Sequence, residues 1–273
     1  MRIDCHSHLG DLGDFRAAEY WQATHRLPDW VAEPDLEAMQ SVDRAIILSH
    51  WGPPSINSNE VVCHFCREHT KFVPFYNIDP RTPAVLTDLD RLAGEMSGKG
   101  IKLGPIYQGF KPDDEAYFPV YEKIEALGLP ILWHQGSSFD AREGPLEWAS
   151  PVLLDKVARA FPDLKMVVAH LGFPWIRETI ALVRKQPNIY ADVSGLRLRT
   201  WILYTALVEL IQYGGEDRVF FGTDFPWFTP AECRQGLYEA AAIPAGTHMP
   251  QLPPEVVDGI IERNVLEVLG IGE

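Results

Sequence analysis

Several features that mark particular classes of protein are scarce or missing in this sequence. Only four of its 273 residues are cysteines, and Cys5, Cys63, Cys66 and Cys233 are too scattered for a disulfide framework. We see no apolar run as long as a membrane span and no signal peptide ahead of the first predicted strand. We therefore expect a cytoplasmic protein that does not enter membranes.

Positive charge is also in short supply. The chain has 24 lysines and arginines against 38 aspartates and glutamates, which gives a net charge of −14. Proteins that bind nucleic acids or anionic membrane surfaces need a basic face. We therefore expect neither partner, and look instead for a small-molecule substrate.

The sequence does contain a regular alternation of short β-rich runs and helical stretches. The runs cover residues 1–8, 44–50, 72–78, 100–104, 130–136, 165–172, 188–195 and 218–224. Eight strands separated by crossover helices in a chain near 250 residues predict an α/β fold, the (β/α)8 TIM barrel. The rival, an open doubly wound sheet, normally has a glycine-rich turn leading into a helix after its first strand. Residues 10–13 do not have that form.

We expect a single barrel domain over residues 1–273 with two additions. Residues 9–33 form a first loop longer than a barrel requires, which we interpret as a lid over the mouth. Residues 244–254 are proline-rich and connect to a predicted closing helix over 255–269.

Four histidines and one aspartate are predicted to meet at one end of the barrel. His6 and His8 share a face of the first strand, because strand side chains alternate. His134, His170 and Asp224 stand at the ends of the fifth, sixth and eighth strands. Each histidine alone could equally be an ordinary buried core residue rather than a metal ligand. Together, at the end where barrel active sites lie, they suit a divalent ion such as Zn²⁺.

These residues sit in recognisable motifs. The motifs are Asp4-Cys5-His6-Ser7-His8, Trp133-His134-Gln135-Gly136, Ala169-His170-Leu171-Gly172 and Phe221-Gly222-Thr223-Asp224-Phe225-Pro226-Trp227. Taken together they resemble the amidohydrolase superfamily. The similar branch includes aminocarboxymuconate semialdehyde decarboxylase, the resorcylate-type decarboxylases and several lactone hydrolases, and the resemblance covers nearly the whole chain.

The resemblance implies a role for each residue. His6, His8, His134 and Asp224 would hold one divalent metal ion, for which we expect Zn²⁺. His170 would then act as a general base or orient the reacting water, and Asp224 would be both ligand and proton acceptor.

Lys102 has two interpretations. It is either an inward-facing lysine paired with a carboxylate, which we favour, or a carbamate that bridges two metals, as in some binuclear members of the superfamily. Much of the similar branch reads Lys-Leu-His-Pro here, whereas this chain has Gly104 in place of the histidine.

Three functions follow from this site. The first expectation is a metal-dependent hydrolase that attacks a small carbonyl substrate, a lactone, amide or ester that is carboxylated or aromatic. The alternative is a non-oxidative decarboxylase of an aromatic or unsaturated acid at the same metal. The third, a barrel that binds a ligand without chemistry, has little support because all five site residues are present.

Residues around the mouth would contact the substrate. Trp51, Tyr107 and Trp227 follow strand ends, where an apolar pocket is expected. Arg142, and with it Arg197 and Arg199, could clamp a carboxylate through the guanidinium fork. By analogy with the fold, we also expect a homodimer.

Overall fold

The computed structural model describes residues 1–10, 36–50, 57–138 and 143–272. Eight parallel strands form one sheet in chain order. They are β1 Ile3–Ser7, β2 Arg44–Leu48, β3 Phe72–Asn77, β4 Gly100–Leu103, β5 Ile131–Trp133, β6 Met166–Val168, β7 Ile189–Asp192 and β8 Val219–Phe220. Each strand pairs with the next, so the order requires a crossover after every strand.

The first strand meets the segment that follows the last one. Asp224 N donates to His6 O at 2.7 Å, and His8 N donates to Phe225 O at 2.8 Å. A parallel bridge joins Ser7 to Phe225. These bonds close the sheet on itself, which confirms the predicted TIM barrel.

Helices lie in the crossovers from β2 to β8 and also follow β8. They are α1 Asn59–Glu68, α2 Val85–Ala93, α3 Pro105–Gln108, α4 Phe118–Ala126, α5 Leu154–Ala160, α6 Ile176–Lys185, α7 Thr200–Tyr213, α8 Pro230–Ala242, α9 Pro254–Glu262 and α10 Val265–Leu269. Alternate strand residues divide between two apolar clusters. Ala45 and Ile47 of β2 pack with helix residues, whereas Ile46 and Leu48 pack with side chains of other strands.

The chain ends in two helices, so the prediction of one closing helix over 255–269 is wrong. α9 ends at Glu262, and the side chain of Asn264 accepts a hydrogen bond from Glu267 N to start α10. An asparagine at this position favours a helix start over a helix interior, because its side chain competes for backbone donors.

The strands are shorter than predicted at the end that carries the site. β5, β6 and β8 end before His134, His170 and Asp224, which therefore lie in the loops just beyond. His170 and Asp224 adopt left-handed backbone angles, φ 56° and φ 64°, which cannot continue a strand.

Two other expectations concern the loops and the cysteines. Residues 11–33 of the predicted lid lie outside the described residues, so the lid stays a prediction. All four cysteines are buried and free, as expected for a chain without a disulfide framework. Across the part of the chain that the structure describes, no helix has the length and apolar character needed to cross a membrane.

Candidate metal centre

The structure brings the four histidines and the aspartate together at the carboxyl end of the barrel. Asp224 Oδ1 lies 3.4 Å from His6 Nε2 and 3.6 Å from His8 Nε2. The ring of His170 is 4.8 Å from the ring of His6 and 5.2 Å from the ring of His134. The predicted convergence is therefore observed, although the role of each residue stays a prediction.

The first two imidazoles are held through their Nδ1 atoms. His6 Nδ1 lies 3.0 Å from the Asp192 carboxylate, and His8 Nδ1 lies 3.0 Å from the carbonyl oxygen of Leu48. Both partners accept, so each Nδ1 carries the proton and each Nε2 keeps its lone pair. Metal-binding histidines in proteins are usually anchored in this way.

The other two imidazoles show the same arrangement. His170 Nδ1 lies 3.1 Å from the carbonyl oxygen of Ser194. His134 hydrogen-bonds the backbone of Ser137, while its Nε2 is buried and has no hydrogen-bond partner among the described residues. A buried polar atom without a partner is costly, so this nitrogen fits a role as a ligand for a metal ion.

Burial also sets the protonation of the imidazoles. It lowers the pKa of His6 to about 4, and the nearby charge of Lys102 acts in the same direction. Burial likewise holds the pKa values of His8 and His134 well below the usual histidine range. The three rings are therefore neutral at pH 7, which is the form that binds metals.

One compact group of ligand atoms stands out among the described residues. Atoms of His6, His170 and Asp224 all lie within 4.8 Å of one another, a spacing that could hold a metal ion. His170 therefore lies close enough to His6 and Asp224 to share an ion with them. The general-base role that the resemblance implies for His170 stays a prediction.

Asp192 and Ser194 complete the site and were missed by the sequence analysis. Asp192 is buried at the end of β7 and accepts hydrogen bonds from His6 Nδ1, from His170 N at 2.9 Å and from Ser194 N at 2.9 Å. Burial acts to raise its pKa, but these bonds and the adjacent imidazoles more than offset it, so the carboxylate stays ionised. The Ser194 hydroxyl lies 3.1 Å from His6 Nδ1 and 2.8 Å from His170 Nδ1.

Asp4 lies on β1 one pleat deeper in the barrel than His6, and it contacts the loop that carries Asp224. Its carboxylate accepts hydrogen bonds from Thr223 Oγ1 at 2.6 Å and from Thr223 N at 3.0 Å. Burial raises the pKa of Asp4 to about 7. The residue thus fixes the loop that carries Asp224 to β1.

Lys102 lies inside the barrel beside the histidines. Its Nζ is 3.4 Å from His6 Nε2, and burial lowers its pKa to about 8 against the opposing charges of Asp224 and Asp192. No carboxylate in the described parts of the chain lies within ion-pairing distance of Nζ, although two act on it electrostatically. The expected ion pair is therefore not formed among the described residues, and the carbamate interpretation stays a prediction.

Gly195 allows the backbone to approach the site closely. A Cβ atom here would lie 3.0 Å from His170 Nδ1 and 3.5 Å from Asp224 Oδ2, and the residue has φ 66°. Only glycine adopts this positive φ readily and also leaves the imidazole of His170 in place, because it has no Cβ atom.

A cavity of about 620 Å³ opens over this centre. Tyr107 and Trp227, two of the predicted substrate contacts, line it together with His134, His170 and Asp224. The other two predicted contacts, Trp51 and Arg142, lie outside the described residues. Arg197 is 2.9 Å from Glu239 and is not among the residues that line the cavity, whereas Arg199 is.

A family model for an amidohydrolase matches residues 3–271. A 2-amino-3-carboxymuconate-6-semialdehyde decarboxylase from Dictyostelium discoideum is 26% identical over 231 residues, covering 71% of this chain and 63% of the relative. A γ-resorcylate decarboxylase from Polaromonas sp. is 25% identical over 215 residues, covering 59% of this chain and 62% of the relative. The chain therefore spans less than two thirds of the length of either curated relative.

A solved structure shows the same fold. The crystal structure of a dihydroxybenzoic acid decarboxylase from Polaromonas sp., with bound manganese and the inhibitor 2-nitroresorcinol, superposes with a TM-score of 0.66 at 17% identity. The match covers 100% of this chain and 97% of the other. At this identity the similarity establishes the barrel architecture.

Proposed function

Because this chain belongs to the amidohydrolase family, we propose that it is a metal-dependent decarboxylase of a small aromatic or unsaturated carboxylic acid. Both curated relatives named above are decarboxylases of such acids. This favours the alternative expectation from the sequence over the first one, a hydrolase, which is supported only at the level of the family.

The observation that carries the proposal is the set of anchored imidazoles around Asp224. We assign His6, His8, His134 and Asp224 as the ligands of a single ion, and Zn²⁺ as that ion, because imidazole nitrogens dominate the donor set. Manganese in the Polaromonas structure makes Mn²⁺ the second ion to test. When bound, such an ion supplies Lewis-acid polarisation of substrate oxygens.

Lys102 fits a single ion better than two. The protonated side chain of Lys102 beside His6 adds a positive charge, which disfavours a second cation in the same space. We therefore propose that Lys102 is not carbamylated and that its ammonium group contributes positive charge to the site.

We propose that His170 transfers a proton. Loss of CO₂ leaves the electron pair of the broken carbon–carbon bond on the substrate, and the carbon that carried the carboxylate must receive a proton. His170 lines the cavity, and its Nδ1 is held by Ser194, so its Nε2 is the nitrogen available to the substrate. We assign this proton transfer to His170, with Asp224 as its neighbour at the reacting atoms.

Product analysis tests the proposal. The protein, loaded in parallel with Zn²⁺ and Mn²⁺, would be incubated with γ-resorcylate, other hydroxylated benzoates, an unsaturated acid and a panel of lactones. We expect release of CO₂ from an acid, with a His170→Asn variant losing most of the rate. Lactone opening without CO₂ release would restore the hydrolase interpretation. A cytoplasmic location, a homodimer and the absence of nucleic-acid partners stay predictions.

A further inference from the structure

The cavity over the metal centre is lined by both polar and apolar residues. The polar ones include His134, His170 and Asp224, and the apolar ones include Phe173 and Trp227. A substrate ring can pack against apolar residues while its reacting carboxylate meets the polar ones. The remaining question is what the cavity recognises beyond those two groups.

Arg199 is the one lysine or arginine among the described residues that line this cavity. Its guanidinium lies over the ring of Phe173, 4.7 Å from the ring centroid, and its Nη1 donates to Gly195 O at 2.8 Å. Gly195 in turn lies against His170 and Asp224. The guanidinium is thus fixed by two contacts within the immediate surroundings of the reacting groups.

Arg199 differs from the other arginines in how it is neutralised. Arg197, two positions earlier, is 2.9 Å from Glu239, and Arg177 is 2.8 Å from Glu209. Within the described ranges, Arg199 takes part in no ion pair with a carboxylate. A guanidinium carries five N–H donors, and the hydrogen bonds that Arg199 makes to described residues use one of them.

We propose that Arg199 binds a second carboxylate of the substrate, so that the preferred substrates are dicarboxylic aromatic or unsaturated acids. One carboxylate would be lost at the metal centre, and the other would be retained and held by the guanidinium fork. The proposal rests on the proposed function only for the fate of the first carboxylate. Recognition of the second is a property of binding and can be measured without turnover.

The competing explanation is that Arg199 only stabilises Phe173 through a cation–π contact. The two explanations differ in what they predict for ligands. A purely structural arginine would affect monocarboxylates and dicarboxylates alike, whereas a carboxylate-binding arginine affects only the dicarboxylate.

Binding of two inert probes separates them. The affinities of isophthalate and benzoate for the Zn²⁺-loaded protein would be measured by calorimetry in the wild type and in Arg199→Gln, Arg199→Lys and Arg197→Gln variants. We expect the wild type to bind isophthalate about tenfold or more tightly than benzoate, the change that one charge-assisted hydrogen bond gives. Arg199→Gln should abolish that preference, Arg199→Lys should retain part of it, and Arg197→Gln should keep it.

Equal affinities of the two probes in the wild type, no binding of isophthalate, or an unchanged preference in Arg199→Gln would overturn the proposal. Melting temperatures of Arg199→Gln and Arg197→Gln that match the melting temperature of the wild type would show that both variants are folded. If isophthalate binds through Arg199 but no acid loses CO₂ in the product assay, the binding proposal holds and the proposed reaction fails.

Discussion

Two regions of the candidate site are built in different ways. The first, which we call the floor, consists of the predicted metal-site residues His6, His8, His134, His170 and Asp224. The second, the wall, consists of other residues that line the cavity, Phe173, Leu198, Arg199, Trp227 and Phe228. In the floor, each imidazole is fixed by a hydrogen bond to a backbone carbonyl or to Asp192. In the wall, Leu198 is 76% exposed and Trp227 is 68% exposed. We therefore predict that the floor determines the chemistry and that the wall determines which substrate is accepted.

The largest expected effect comes from the floor. Asp224→Asn removes the negative charge that lies within 3.6 Å of two imidazoles, and with it the proposed metal ligand and proton acceptor. We expect kcat/KM on the best substrate to fall by about 10³-fold or more, since metal polarisation lowers the activation free energy of such reactions by several kcal/mol.

Asp79→Asn is the matched control for this change. Asp79 is an acid of the same end of the barrel, but it pairs with Arg81 and does not contact the floor. The Asp79→Asn variant should retain activity to within a few fold. Its ion pair is partly exposed and contributes about 1 kcal/mol or less to stability, so the protein should stay folded with the floor intact. Equal losses in the two variants would contradict the distinction.

Acid should destabilise the metal-free protein through the floor. The pKa of His6 is about 4 in the folded protein against 6.5 when unperturbed, so between these values the unfolded chain binds the extra proton. Stability from this group is complete above pH 6.5 and is lost as pH falls toward 4, by about 3 kcal/mol. Asp4, with its pKa raised to about 7, acts in the opposite direction.

The contribution of His6 is therefore measured as a difference. The free energy of unfolding, obtained with urea in the presence of a chelator, should fall on acidification by about 3 kcal/mol more in the wild type than in His6→Gln. Parallel curves for the two proteins would contradict neutral burial of His6.

The support behind the floor should matter less than the floor itself. Asp192→Asn keeps the shape of the side chain but weakens the bonds to His6 Nδ1 and His170 N. We expect metal affinity or activity to fall about 10- to 100-fold, the usual cost of losing such a partner. Asp155→Asn, which breaks a surface pair with Lys185, should leave metal affinity unchanged in competition titrations with a chromophoric chelator. An effect of Asp155→Asn as large as that of Asp192→Asn would show that the loss is non-specific.

The smallest effect is expected in the wall. Trp227→Ala removes an exposed ring that lines the cavity, so we expect a change in melting temperature close to zero and a KM raised a few fold. Trp201→Ala removes a ring that is 58% exposed on α7 and does not line the cavity. A KM that rises equally in both variants would mean that the wall does not select the substrate.

The floor could be predicted from the sequence because it follows from periodicity. Alternation placed His6 and His8 on one face, and the βα repeat placed His134, His170 and Asp224 at equivalent strand ends. Asp192 and Ser194 lie in the same kind of position, at the end of β7, and could have been included by the same rule.

The wall could not be predicted in this way because it depends on contacts between loops. Arg197 and Arg199 are two residues apart and chemically identical, and only the structure shows that one pairs with Glu239 while the other lines the cavity. The ends of the strands were also predicted too long, because apolar runs do not reveal the left-handed backbone at His170 and Asp224.

The central claim, a metal centre built from anchored imidazoles, is tested most directly by elemental analysis of the purified, untagged protein. We predict about one zinc or manganese ion per chain in the wild type, and its loss in His8→Ala and in His134→Ala. His64→Ala, which changes a histidine of α1 that contacts Glu68, should retain the ion. Absence of metal after reconstitution, or its retention in both floor variants, would contradict the account.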